Sequence, residues 1–147
     1  MKLLFFSVSR DRAEWYETAF VTYLKRSRPF AETESSTFSS EAALMASVER
    51  RRSRVAPLLV LLDSRGRSLS SEAFAAWIGK QRDGRVQNLI FAIGPADGWS
   101  ERARERAGLL LSLGPMTLPH ELARVVLAEQ VYRAFTILAN HPYHGGH

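Results

Sequence analysis

Apolar and polar positions alternate along the chain in two kinds of block. Lys2 to Val8 (KLLFFSV), Pro57 to Leu62 (PLLVLL), Asn88 to Ile93 (NLIFAI) and Leu109 to Leu113 (LLLSL) are short and apolar almost throughout. That is the pattern of strands buried on both faces. Between them lie longer blocks with apolar residues at helical spacing. Trp15, Ala19, Phe20, Tyr23 and Leu24 mark the first, Ala43, Leu44 and Val48 the second, and Phe74, Trp77 and Ile78, with Gln81, the third. A short charged block reaches Arg106, and the last block, Glu121 to Leu138, contains neither Gly nor Pro. Residues 30–38 (FAETESSTF) are polar and alternate poorly, which predicts an edge strand or a loop.

Helix starts are legible from capping chemistry. Asp11-Arg12-Ala13-Glu14 has the spacing of a capping box, and Ser39 or Ser40, Ser70 and Ser100 each stand where an N-cap is needed. Leu69 is placed to staple onto Phe74, Asp83-Gly84 closes the third helix, and Pro119 suits the first turn of the last one. Strands alternating with helices, several of them apolar throughout, predict an α/β fold with a parallel sheet covered on both faces, in one domain spanning 1–147. In such sheets ligands sit beyond the carboxyl ends of the strands. Here Leu62-Asp63, Ile93-Gly94 and Leu113-Gly114 all hand over to loops bearing Gly or Pro, which points to a pocket without naming its ligand. The last helix has only Glu121, Arg124, Glu129 and Arg133 as charged residues. A helix so apolar should be covered on both sides, by its own sheet and by a second copy of the chain.

Composition narrows the chemistry. The absence of cysteine excludes disulfides, thiolate metal sites and thiol nucleophiles. No stretch reaches the roughly 20 apolar residues of a membrane helix, and Met1 to Val8 is too short for a signal peptide, so a cytoplasmic protein is expected. The net charge of +5 suits a polyanionic partner. Lys25-Arg26-Ser27-Arg28 reads best as complementing the end of the first helix. Arg50, Arg51, Arg52 and Arg54 read equally well as a solvated helix end or as a phosphate contact. His141, His144 and His147 have a spacing that invites a metal, but a Gly-rich tail holds no ligand geometry by itself, and no metal is expected.

A longer pattern lies over the last third. Ser112-Leu113, Met116-Thr117-Leu118-Pro119-His120, Arg124-Val125-Val126-Leu127, Glu129-Gln130-Val131-Tyr132-Arg133-Ala134, Ile137 and Asn140-His141-Pro142-Tyr143-His144 resemble the C-terminal signature of the bacterial ribosomal large-subunit RNA pseudouridine N3-methyltransferases, of the SPOUT class. Leu62 to Arg67, Leu69 to Ala75, and Phe91 to Gly94 with Gly98 resemble that family's central segments. About two-thirds of the chain is covered.

The resemblance implies a homodimer with a deep trefoil knot at approximately residues 88–140. It implies S-adenosyl-L-methionine held largely by backbone at Leu62, Gly94, Leu113, Gly114, Pro115, Met116, Thr117 and Leu118. It implies a ribosomal RNA substrate, met within the ribosome, with methylation at N3 of a pseudouridine. Proton removal from N3 calls for a base or an oxyanion donor, and Tyr143 and His144 are the candidates, on a tail expected to complete a site across the dimer. Arg10, Arg124 and Arg133 are the candidate RNA contacts, although Arg133 is equally well an i,i+4 partner of Glu129. His120 reads as a helix-start histidine. The chain departs from the family pattern at Ser9-Arg10, at Pro95, at Gly114 and at Gly145-Gly146-His147, where a terminal cation is missing. Those departures keep two alternatives open: a catalytically silent, knotted RNA-binding homodimer, or a methyltransferase with another RNA target.

Overall fold

The computed structural model describes residues 1–9 and 14–146. In chain order the elements are β1 (Lys2–Val8), α1 (Glu14–Ser27), β2 (Glu32–Phe38), α2 (Glu41–Arg50), β3 (Leu58–Ser68), α3 (Ser71–Asp83), β4 (Asn88–Ile93), α4 (Glu101–Arg106), β5 (Leu109–Ser112), α5 (His120–Leu138) and a closing 3-10 turn (His144–Gly146). All strand pairs are parallel, in the order β2-β1-β4-β3-β5. The expected parallel α/β sheet is therefore present, with residues 32–38 as its edge strand.

Strand periodicity sorts the core into two layers, because successive side chains leave opposite faces of the sheet. Leu3, Phe5, Val60, Leu89, Phe91 and Ile93 face a layer made with α1, α3 and α5. Leu4, Phe6, Leu59, Leu61, Ile90 and Ala92 face the thinner layer of α2 and α4. Phe91 anchors the first layer, stacked on Phe5 at 5.5 Å and meeting Phe74 edge-on at 6.1 Å. Ser40, Ser70 and Ser100 cap their helices as expected, each accepting from the backbone N–H three residues on. The capping box at Asp11 to Glu14 and the residue Arg10 lie outside the described residues.

Gly84 closes α3 as expected, and the left-handed residue, Arg85 (φ 63°), follows it. Three expectations are corrected. Residues 64–68 do not form a loop but continue β3. Trp15 does not face the core; it is 62% exposed and stacks on Tyr16 at 3.6 Å. The third concerns Arg124, which belongs to the core and not to an RNA-facing surface. It is 2% exposed, its guanidinium lies 3.5 Å over the Phe20 ring, and Nη1 donates to Glu17 at 2.6 Å. Its stem and ring-stacked head pack α5 onto α1, as long cationic side chains can when the charge is paired.

The continuation of β3 is the topological feature that matters for the site. Leu62 pairs with Leu111, and so does Arg67, followed by Ser68 with Ser112. Two residues of one strand cannot occupy the same place beside Leu111. The 58–62 limb therefore lines one edge of β5 and the 67–68 limb the other. The chain wraps round β5, and Gly66 makes the wrap possible: a Cβ there would stand 2.6 Å from the carbonyl carbon and oxygen of Leu110 and 2.8 Å from the nitrogen of Leu111.

Against that strap, Gly66→Ala is expected to lose about 2 kcal/mol or more, since backbone on both sides cannot yield as a side chain would. A denaturant midpoint equal to wild type would contradict the close approach. Arg124→Ala is expected to destabilise on the order of 3 kcal/mol by emptying a core site and removing the ion pair with Glu17. The measurement is the same unfolding curve.

Candidate active site

Three loops meet at the carboxyl edge of the sheet: the turn of β3 at Leu62 to Arg65, the segment Gly94 to Trp99, and the segment Leu113 to Leu118. A cavity of about 310 Å³ is lined by Leu62, Asp63, Ser64 and every residue from Leu113 to Leu118. An adjoining cavity of about 340 Å³ shares Leu62, Asp63 and Ser64 and is closed by Gly94, Pro95 and Trp99. The eight positions expected to hold a cofactor thus gather at one edge, divided between two cavities that meet at the end of β3. A larger cavity of about 770 Å³ lies elsewhere, between α2 and α4; Arg52 of the arginine run lines it, but none of the expected cofactor or catalytic residues does.

Backbone geometry explains the residue types. Gly114 has φ 121°, a conformation L side chains rarely adopt, and a Cβ would meet nothing within 4 Å. Glycine is required there by the turn, not by crowding. The Ser112 hydroxyl holds the turn from inside, accepting from Gly114 N–H at 3.1 Å and donating to its carbonyl at 3.2 Å. Met116, at the tip of the segment, is 82% exposed. On the opposite loop, Gly98 N–H donates to the Pro95 carbonyl at 2.9 Å, with Gly98 at φ 88°. Pro95 enters this turn as the acceptor, so the N–H it lacks is not needed to close it.

Trp99 is the site residue that sequence reasoning missed. Its indole N–H donates to the Leu62 carbonyl at 2.9 Å, tying the second loop to the first. The ring rests where a side chain on Gly94 would be, since a Cβ there would stand 2.6 Å from Trp99. One carbonyl of the expected cofactor cradle is therefore already engaged. The signal was a lone tryptophan directly after the G-x-x-x-G spacing of Gly94 and Gly98. Asp63 is braced as well: its carboxylate accepts from Arg65 N–H at 2.8 Å and stands 3.4 Å from Arg104 Nε.

The tail folds back on its own chain. Tyr143 and His144, the candidate catalytic pair, are half-buried against α5 and α3. Tyr143 OH donates to Glu129 Oε1 at 3.1 Å. Burial, with Glu129 beside it, pushes the Tyr143 phenol up to about 12, so it stays protonated at neutral pH. Arg133 donates to the same carboxylate from Nε at 2.9 Å and lies 4.9 Å over the Tyr143 ring. Arg133 is thus brought together with the tail, and the i,i+4 pair with Glu129 is present. His144 meets Arg133 on one ring nitrogen and Glu72 on the other, at 3.0 and 2.7 Å. Arg124, buried between α5 and α1, stands apart from this group. His120 contacts Glu121 at 3.3 Å at the start of α5. Among the described residues no group of three or more His, Asp or Glu could hold a metal ion, and no helix is long and apolar enough to cross a membrane.

Residues 1–144 match the family model described as predicted SPOUT methyltransferase. The ribosomal RNA large subunit methyltransferase H of Koribacter versatilis is 49% identical over 147 residues, covering all of both chains. The protein of the same name from Pelobacter propionicus is 43% identical, covering 98% of this chain and 99% of that one. Among solved structures, that of the SpoU methyltransferase AviRb from Streptomyces viridochromogenes, in complex with the cofactor AdoMet, aligns with TM-score 0.49 and 16% identity over 95% of this chain and 61% of that chain. A knot-compatible strap, three loops at one sheet edge and full-length similarity lead to one assignment: the chain belongs to the SPOUT methyltransferase family.

Proposed function

We propose that this chain methylates ribosomal large-subunit RNA, at N3 of a pseudouridine, with S-adenosyl-L-methionine as methyl donor. The observation that carries the reading is the cavity formed by Leu62 to Ser64 and Leu113 to Leu118 at the carboxyl edge of the sheet. Its make-up fits such a ligand: apolar walls from Leu62, Ile93, Leu113 and Leu118 for a purine, and a glycine-bearing turn whose backbone is open to approach. When bound, the cofactor supplies an electrophilic methyl group on a sulfonium. Leu113 to Leu118 and Leu62 would hold it, with Gly94 and Trp99 shaping the neighbouring wall.

The remaining work falls to the chain's own polar groups. N3 must shed its proton to attack, and His144 is the residue to take it. Tyr143 remains a neutral phenol and orients the tail through Glu129. Arg133 holds the tail, and any phosphate contact it makes is secondary to that role. Arg10 remains a candidate RNA contact. The net charge of +5 favours a polyanion throughout.

The reading includes a knot and a dimer. A strap that encircles β5 is what a threaded C-terminal segment requires. On α5 the stripe of Leu122 and Val126 is only half-buried, beside a cavity of about 330 Å³ lined by Val126 and Leu113 together with Ser71 and Gln130. A second copy covering that stripe would complete the site. Action on ribosomes places the protein in the cytoplasm.

Calorimetric titration with S-adenosyl-L-methionine tests the reading, followed by methyl incorporation into unmodified ribosomes, isolated subunits and naked RNA. Saturable binding and methylation of at least one of the three are expected. No binding at about 1 mM ligand, weaker than about −4 kcal/mol, would overturn the enzyme in favour of a silent RNA-binding protein.

A further inference from the structure

His144 makes two bonds that together define its ring. Arg133 Nη1 stands 3.0 Å from Nδ1, and Glu72 Oε1 stands 2.7 Å from Nε2. A guanidinium has only donors, so Nδ1 carries the lone pair. The ring hydrogen is therefore on Nε2, which donates it to Glu72. One tautomer satisfies both neighbours, and the other satisfies neither.

Glu72 reaches this bond from the neighbouring helix of the same layer, in the first turn of α3. A first-turn acid needs no histidine, because the positive end of the helix dipole already suits it. Yet the His144 hydrogen bond is the leading reason the Glu72 carboxyl is held below the ordinary glutamate range, ahead of the backbone bond at the helix start. The other side of the ring is equally constrained. Arg133 is fixed by Glu129 at 2.9 and 2.8 Å, and the Tyr143 N–H donates to His141 Nδ1 at 3.1 Å. The titratable and charged groups around the imidazole are thus Glu72 from α3, Arg133 and Glu129 from α5, and Tyr143 and His141 from the tail. Tyr23 of α1 and Tyr132 of α5 lie behind them.

We propose that Glu72 is a positioning residue for His144: it fixes the tautomer and ring plane, so that Nδ1 is the proton-accepting nitrogen, and its carboxylate balances the imidazolium that results. The inference rests on the reading of His144 as proton acceptor. In the transfer, the N3–H proton passes to Nδ1 and a bond forms between N3 and the methyl carbon. The methyl–sulfur bond breaks with its electron pair left on sulfur. Nε2–H stays with Glu72 throughout. Arg133 must release Nδ1 for this to happen, and its bonds to Glu129 give it a place to remain. Nothing in the family resemblance singles out Glu72 for this work; the contact with His144 does.

The test is steady-state methylation of unmodified ribosomes by the full-length protein across pH. The variants are Glu72→Ala, Glu72→Gln, Glu72→Asp and His144→Ala, each with cofactor calorimetry and a thermal midpoint. Glu72→Ala is expected to lower kcat about tenfold or more, with cofactor affinity and midpoint unchanged. Glu72→Gln keeps an acceptor for Nε2–H but removes the charge that favours the imidazolium. It should therefore keep more of kcat than Glu72→Ala, and Glu72→Asp should likewise recover part of it. Wild-type kcat and pH profile in Glu72→Ala, with His144→Ala impaired, would overturn the positioning role alone. Full activity in His144→Ala would overturn the proton-acceptor reading and this inference with it. Failure of the parent protein to bind cofactor would instead overturn the methyltransferase reading.

Discussion

Leu111 is paired on both edges by the same strand, and the rest of the molecule depends on that fact. A parallel sheet ordinarily ends in an edge strand with one row of backbone groups unpaired. Here the 58–62 limb of β3 takes one side of β5, and the chain then crosses over and takes the other. Crossing within four residues, 63 to 66, demands that backbone pass against backbone, which is why Gly66 sits over Leu110. The same crossing puts Asp63 and Ser64 at the mouth of the carboxyl-edge cavities and aims the chain into α3. Strap, cavity and the helix that carries Glu72 are consequences of one local geometry.

A few charged groups join distant elements of this fold. Arg124 stacks on Phe20 and binds Glu17, joining the first helix to the last through the core. Asp63 is held by Arg104, so the turn within β3 is braced by α4. At the far end of α5, Glu129, Arg133 and Tyr143 form a compact group that fastens the tail, and Glu72 closes it from α3. Buried or half-buried pairs of this kind gain little net stability against apolar packing but fix which groups meet. In the proposed chemistry, that is their contribution.

Much of the fold was legible in the sequence because strand and helix periods are local. Asn88 to Ile93 reads as a buried strand and is one, and three serine caps stand where the pattern put them. The candidate cofactor positions came from resemblance, which named Leu62, Gly94 and Leu113 to Leu118, and the fold brings these residues to one edge. What stayed hidden depends on partners distant in the chain. Ser64 to Ser68 is polar and reads as a loop; it becomes strand only because β5 lies beside it. Arg124 looks like a surface cation until Glu17, 107 positions away, is seen to hold it. Trp99 and Glu72 likewise matter for what they touch, and periodicity has no way to report that.

The most direct measurement is hydrogen–deuterium exchange of the full-length protein with and without S-adenosyl-L-methionine. Added protection is expected at residues 62–65, 94–99 and 113–118, with little change in α2 and α4. Protection confined to the larger cavity between α2 and α4, with the three carboxyl-edge loops exchanging as before, would contradict it.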